Sequence, residues 1–124
     1  MILKVHDMIK KYDTICKLID NENITDVSLK YKLLTLLHYL EPHKNNVDKL
    51  RNELVKKYGT VDEHGDYILK ETDESFKDYL SDINKLLEQE IQIMDIPKIK
   101  FIEVVNIIPN EDLLALYEFI TDGD

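Results

Sequence analysis

Glycine is nearly missing from this chain of 124 residues, with Gly59, Gly65 and Gly123 as the whole supply. Phosphate-cradling loops of the G-x-G-x-x-G or P-loop kind need glycines at fixed close spacing, so nucleotide binding of that type is excluded. Cys16 is the single cysteine, which rules out an intramolecular disulfide and a cysteine-based zinc site. Its expected role is a small buried side chain on the first helix. Serine is scarce, and Ser28, Ser75 and Ser81 all lie at or within expected helices with no nucleophile-elbow glycines around them. No apolar run approaches the roughly eighteen residues that cross a bilayer. The start, Met1-Ile2-Leu3-Lys4-Val5-His6-Asp7, lacks the apolar stretch of a signal peptide. A cytoplasmic protein without a membrane partner is therefore expected.

What is present favours helices. With 44% hydrophobic and 33% charged residues and so few turn-formers, the composition predicts a mainly α chain folded as a single domain over 1–124, with residues 120–124 as a mobile tail. The organising stretch runs from Ser28 to Gly59. Leu33, Leu40, Val47 and Leu54 recur every seven residues, with Leu36, Leu37, Leu50 and Tyr58 three or four positions after members of that series. This pattern predicts one long amphipathic helix kinked at Pro42, and a break into two helices at Glu41-Pro42 stays open. A first helix over Ile2 to Asp20, with a stripe of Val5, Met8, Ile9, Tyr12, Ile15, Cys16 and Ile19, should pack antiparallel to it. Thr25 or Asp26 would cap the long helix.

After Gly59, whose expected role is a left-handed helix stop, Thr60-Val61 and Tyr67-Ile68-Leu69 flank the turn-rich Asp62-Glu63-His64-Gly65-Asp66. A small β-hairpin over about 60–69 is predicted, which the extended stretch at about 91–96 could join. A third helix, capped by Thr72 or Asp73, places Phe76, Tyr79, Leu80, Ile83, Leu86, Leu87 and Glu90 on one face. Lys98 to Ile108 fits strand and helix equally. A last helix over Glu111 to Ile120 turns Leu113, Leu114, Leu116, Tyr117 and Ile120 inward.

No constellation carries a catalytic signature, so a non-enzymatic protein without cofactor or metal is expected. His38, Glu41 and His43 fall in six residues, yet a histidine spacing of five spreads the rings around the helix and does not suit one metal ion. The loop from Asp62 to Asp66 has glycine in the wrong place for a calcium loop. Charge is the more informative property. The net charge is −9, and the balances over residues 1–30, 31–60, 61–90 and 91–124 are 0, +3, −7 and −5. An acidic second half repels a phosphate backbone, so direct nucleic-acid binding is not expected. The cations Lys49, Arg51, Lys56 and Lys57 read as a solvated helix face.

The run RNELVKKYGTVDEHGDYIL, then DYLSDINKLLEQEIQI, then EDLLALYEFI resembles a family of small bacteriophage or prophage proteins of unknown function from Gram-positive hosts, over roughly residues 50–120. The resemblance implies a phage origin and host cytoplasm as the setting, and no mechanism. Combined with the acidic second half, it leads to an expected function: a protein that binds a host or phage protein with a basic surface. In its sharper form this is an acidic inhibitor of a nucleic-acid-targeting host defence system, acting by nucleic-acid mimicry. Glu71, Asp73, Glu74, Asp78, Asp82, Glu111, Asp112 and Glu118 are the expected contact residues. A phage structural or assembly protein acting as an oligomer and a regulatory protein are the alternatives, and the oligomeric state stays open.

Overall fold

The structure, a computed structural model, describes residues 1–122. It is mainly helical and is built on one long helix, as the seven-residue apolar series predicts. A short strand, β1 (Ile2–Lys4), leads into helix α1 (Val5–Ile19), and the connection to Asp26 returns the chain into α2 (Val27–Tyr58). The Asp26 carboxylate accepts from the Leu29 backbone N–H at 3.0 Å, which satisfies one of the unpaired donors of the first turn. Leu29, Leu33, Leu36, Leu40 and Val47 of α2 are buried against Met8, Ile15 and Leu18 of α1 and the later elements. Leu18 is fully buried although the expected stripe omits it, whereas Cys16 is only half-buried. Burial comes first among the influences that hold the Cys16 thiol above its ordinary pKa, so the residue is a poor nucleophile.

Helix α2 passes through Pro42 without interruption, so the two-helix alternative fails. Pro42 and His38 are both exposed, and the His38 carbonyl deprived of its usual partner four residues on can turn to water. Pro42→Ala restores that bond and removes the ring clash. It is expected to stabilise the protein by about 1–3 kcal/mol, read as a higher midpoint in urea with an unchanged slope; a lower midpoint would mean that the packing depends on the proline.

Tyr58 ends α2, and Gly59 follows with extended backbone, φ −88° and ψ 179°, in place of the expected left-handed stop. Space explains the glycine instead. A Cβ there would collide with the backbone carbonyls of Ile68 and Val55. Strands β2 (Thr60–Val61) and β3 (Tyr67–Ile68) form the predicted antiparallel hairpin. Its turn is organised by Asp62, whose carboxylate accepts from the His64 and Asp66 backbone N–H groups at 2.8 and 3.0 Å, with Gly65 at φ +84°.

The third helix, α3 (Phe76–Leu87), starts after Ser75 without a side-chain cap. The Asp73 carboxylate accepts from the Lys70 N–H and closes the preceding turn instead. No residue of α3 is fully buried. Strand β4 (Glu90–Gln92) pairs antiparallel with β1 across the molecule, Leu3 opposite Ile91, and does not join the hairpin. Burial of Leu3 and Ile93 under this ribbon makes the distant pairing favourable.

The stretch left open between strand and helix proves to be both, with β5 (Ile99–Lys100) running directly into α4 (Phe101–Val104). Helix α5 (Asn110–Ala115) begins earlier and ends much sooner than the sequence predicts, giving way to a 3-10 turn at Tyr117–Phe119. The change of helical pitch turns Phe119 fully inward and leaves Leu114 and Tyr117 exposed, at 77% and 72%. Strand β6 (Ile120–Thr121) then pairs parallel with β5. The expected mobile tail thus opens on a paired strand, while residues 123 and 124 lie outside the described residues.

Candidate interaction surfaces

The eight carboxylates singled out by charge fall into two groups, fastened to different parts of the scaffold. The first surrounds the start of α3. Asp82 accepts a hydrogen bond from the Tyr58 hydroxyl at 2.5 Å and lies 3.9 Å from both Lys57 and Lys85. This bond is the foremost cause that holds the Tyr58 hydroxyl above its ordinary pKa. Together with the Ser75 hydroxyl, which donates to the Tyr58 carbonyl, Asp82 ties α3 to the last turn of α2. Asp73 is spent on the turn described above. Glu71, Glu74 and Asp78 are exposed, with Lys77 among them.

The second group lies on α5 and the turn that follows, packed on α1. Asp112 is 5% exposed, and its carboxylate accepts from Lys17 at 2.8 Å. That hydrogen bond is the main cause that raises the Lys17 ammonium pKa. Lys11, 6% exposed, donates to the Ala115 carbonyl at 3.1 Å and lies 2.8 Å from the Glu118 carboxylate. A lysine at that position would be read from sequence as surface. Its ammonium instead meets the carbonyl end of α5, where a cation is favourably placed.

The two groups do not make one continuous face. Lys44 of α2 sits over the Tyr12 ring at 5.4 Å, which sets α1 beside the middle of α2. In this antiparallel arrangement Lys17 lies on the order of 25 Å along the axis from Tyr58. Asp82, Asp112 and Glu118 pair with groups of the fold itself, whereas Glu71, Glu74, Asp78 and Glu111 face solvent.

No protein family, curated protein or solved structure gives a significant match to this chain. Inference thus rests on geometry. Among the described residues no cluster of three or more histidine, cysteine, aspartate or glutamate side chains is arranged to hold a metal ion. No helix among them is long and apolar enough to cross a membrane. His43 is half-buried and His38 exposed, on different sides of α2.

A feature that charge counting missed is an apolar cleft of about 590 Å³ between α4, α5 and β6. Phe101, Leu113, Leu114, Tyr117 and Ile120 line it, with Asn110, Thr121 and Asp122 as the polar residues. Tyr117 and Ile120 also border a second hollow reaching Ile93, Ile96 and Lys98. The sequence signal was there in retrospect. Phe101-Ile102 and Leu113-Leu114 place adjacent apolar residues on short helices, which leave Phe101, Ile102 and Leu114 exposed.

Near that cleft, Lys32 of α2 pairs with Glu103 of α4. The Lys32 hydrogen bond is the largest influence that holds the Glu103 carboxyl below its ordinary range, and the charge of Lys32 adds to it. This pair fixes α4 against the first turns of α2 and with it the orientation of Phe101 and Ile102.

Proposed function

We propose that this chain is a non-catalytic protein of phage or prophage origin that works by binding the basic surface of another protein. In its specific form, the exposed carboxylates Glu71, Glu74 and Asp78 occupy a groove that its partner uses for nucleic acid, and the partner belongs to a host defence system. The observation that supports this reading is that, among the described residues, these three carboxylates enter no ion pair with a lysine or arginine within 4 Å. Five acids between Glu71 and Asp82 face only Lys77 in that interval. Like charges so placed are unfavourable by themselves and are relieved by a cationic partner.

The triple variant Glu71→Lys, Glu74→Lys, Asp78→Lys spares Asp73 and Asp82 and is expected to fold normally. Capture from a Gram-positive lysate at about 0.15 M salt should recover a nucleic-acid-binding protein with the natural chain and lose it with the triple variant. Equal recovery by both would remove the proposed face. The exposed apolar residues Ile102, Leu114 and Tyr117 favour a second reading, an assembly protein that acts as an oligomer. Light scattering on the purified chain separates the two, since a monodisperse ring would support assembly and a monomer the inhibitor.

A further inference from the structure

The cleft between α4, α5 and β6 has no role in the proposed acidic contact and lies on a different part of the scaffold. We propose that it is a second docking site, which takes an amphipathic cationic segment of a partner protein. That segment would insert bulky apolar side chains between Phe101, Leu114 and Tyr117 and present lysine or arginine to Asp122 and Glu111.

The apolar half of this assignment rests on exposure and shape. Leu114 and Tyr117 expose most of their surface, and Phe101 exposes 43%, around a concavity of about 590 Å³. Pockets of a few hundred Å³ with apolar walls and a few polar groups are the usual form of sites that accept side chains or ligands. The charged half rests on the walls. From Phe101 to Asp122 the chain has five acids and no lysine, arginine or histidine. Three of the five, Glu103, Asp112 and Glu118, are taken by Lys32, Lys17 and Lys11 within the fold. Glu111 and Asp122 remain exposed, and Asp122 lines the cleft itself. Lys98 borders the hollow on the far side of Tyr117 and Lys100 stands opposite Thr121 in the β5–β6 ladder, so the cations of the segment are placed at the two carboxylates themselves, Asp122 in the cleft and Glu111 on α5 beside it. Apolar anchors beside cations at helical spacing match this surface; an acidic or uncharged segment leaves Glu111 and Asp122 without partners.

The test uses a fluorescein-labelled peptide with leucines at i, i+3, i+4 and i+7 and lysines elsewhere, its glutamate analogue, and the full chain, read by fluorescence anisotropy. Saturable binding of the lysine peptide alone is expected. Leu114→Glu distinguishes docking from general attraction because the two change in opposite directions. It makes the chain more acidic, so unspecific attraction would strengthen, whereas docking should weaken by about tenfold or more. Leu114 is well exposed, and circular dichroism verifies that the variant folds. Glu111→Lys with Asp122→Lys should weaken binding several-fold and flatten its salt dependence. Glu74→Lys with Asp78→Lys should leave this binding essentially intact, which separates the cleft from the acidic face. Undiminished binding by Leu114→Glu, or equal binding of the glutamate analogue, would overturn the proposal. Concentration-dependent self-association abolished by Leu114→Glu, without peptide binding, would overturn it in favour of a second copy of the chain.

Discussion

Replacing Phe119 by alanine should lower stability by about 3–5 kcal/mol, the largest single-residue effect expected in this protein. The side chain is fully buried and is among the largest so placed. It reaches the core from a 3-10 turn of three residues, held by the Phe119 N–H bond to the Leu116 carbonyl at 2.8 Å. A void left there cannot close easily, because the two-residue ladder of β5 and β6 fixes the chain directly after it. Domains of this size are stable by about 5–15 kcal/mol in total, so the variant should melt roughly 10–20 °C lower. Phe119→Leu, which keeps most of the volume, should cost about 1–2 kcal/mol. Thermal unfolding followed by circular dichroism measures both, and a shift of only a degree or two for Phe119→Ala would show that the C-terminal segment is not part of the core.

Removing the Glu118 carboxylate should cost about 2–4 kcal/mol, more than its own exposure suggests. The reason lies in its partner. Lys11 is buried on α1, and without Glu118 its ammonium keeps, among the described residues, only the Ala115 carbonyl. Glu118 itself is partly in water, which places the effect below that of a fully buried pair. The same logic predicts a rescue. Lys11→Met in the Glu118→Ala background removes the stranded charge while keeping the length of the side chain, and should return most of the loss. A double variant no more stable than Glu118→Ala would mean that the loss comes from packing around Glu118 instead.

The scaffold was legible where one physical signal dominated. Leu33, Leu40 and Val47 repeat at a fixed interval, and burial on one face is all that pattern requires. Asp26 and the hairpin turn around Gly65 were legible because capping and left-handed backbone depend on local chemistry. The pairing of Ile2–Lys4 with Glu90–Gln92 was hidden, since three residues carry almost no periodicity and their partner is far away in sequence. Phe119 and Leu18 were missed for a related reason. An ideal helical phase carried through Leu116 misses the change of pitch there, and Leu18, three residues after Ile15, lies on a buried seam of Met8, Lys11, Ile15 and Leu18 that the charge of Lys11 disguises. The acidic residues show a different limit. Charge counting finds Asp82, Asp112 and Glu118, but a carboxylate paired inside the fold and one facing water look alike in sequence. Lys11, Lys17 and Tyr58, which decide between the two, come from helices far earlier in the chain.

What remains of the acidic face is narrower and easier to test. Glu71, Glu74 and Asp78 precede or begin a helix without a fully buried residue, at the end of α2 where Leu50 is already 45% exposed. Such a lightly packed end can adjust to a partner at small cost.

As proposed above, these carboxylates take the place of nucleic acid on a basic partner. The most direct measurement is a competition, in which a labelled oligonucleotide bound to the captured partner is titrated with the purified chain and followed by fluorescence anisotropy. Full displacement by the natural chain is expected at concentrations that saturate the partner, and none by the Glu71→Lys, Glu74→Lys, Asp78→Lys variant. An oligonucleotide that stays bound while the natural chain also binds would contradict it.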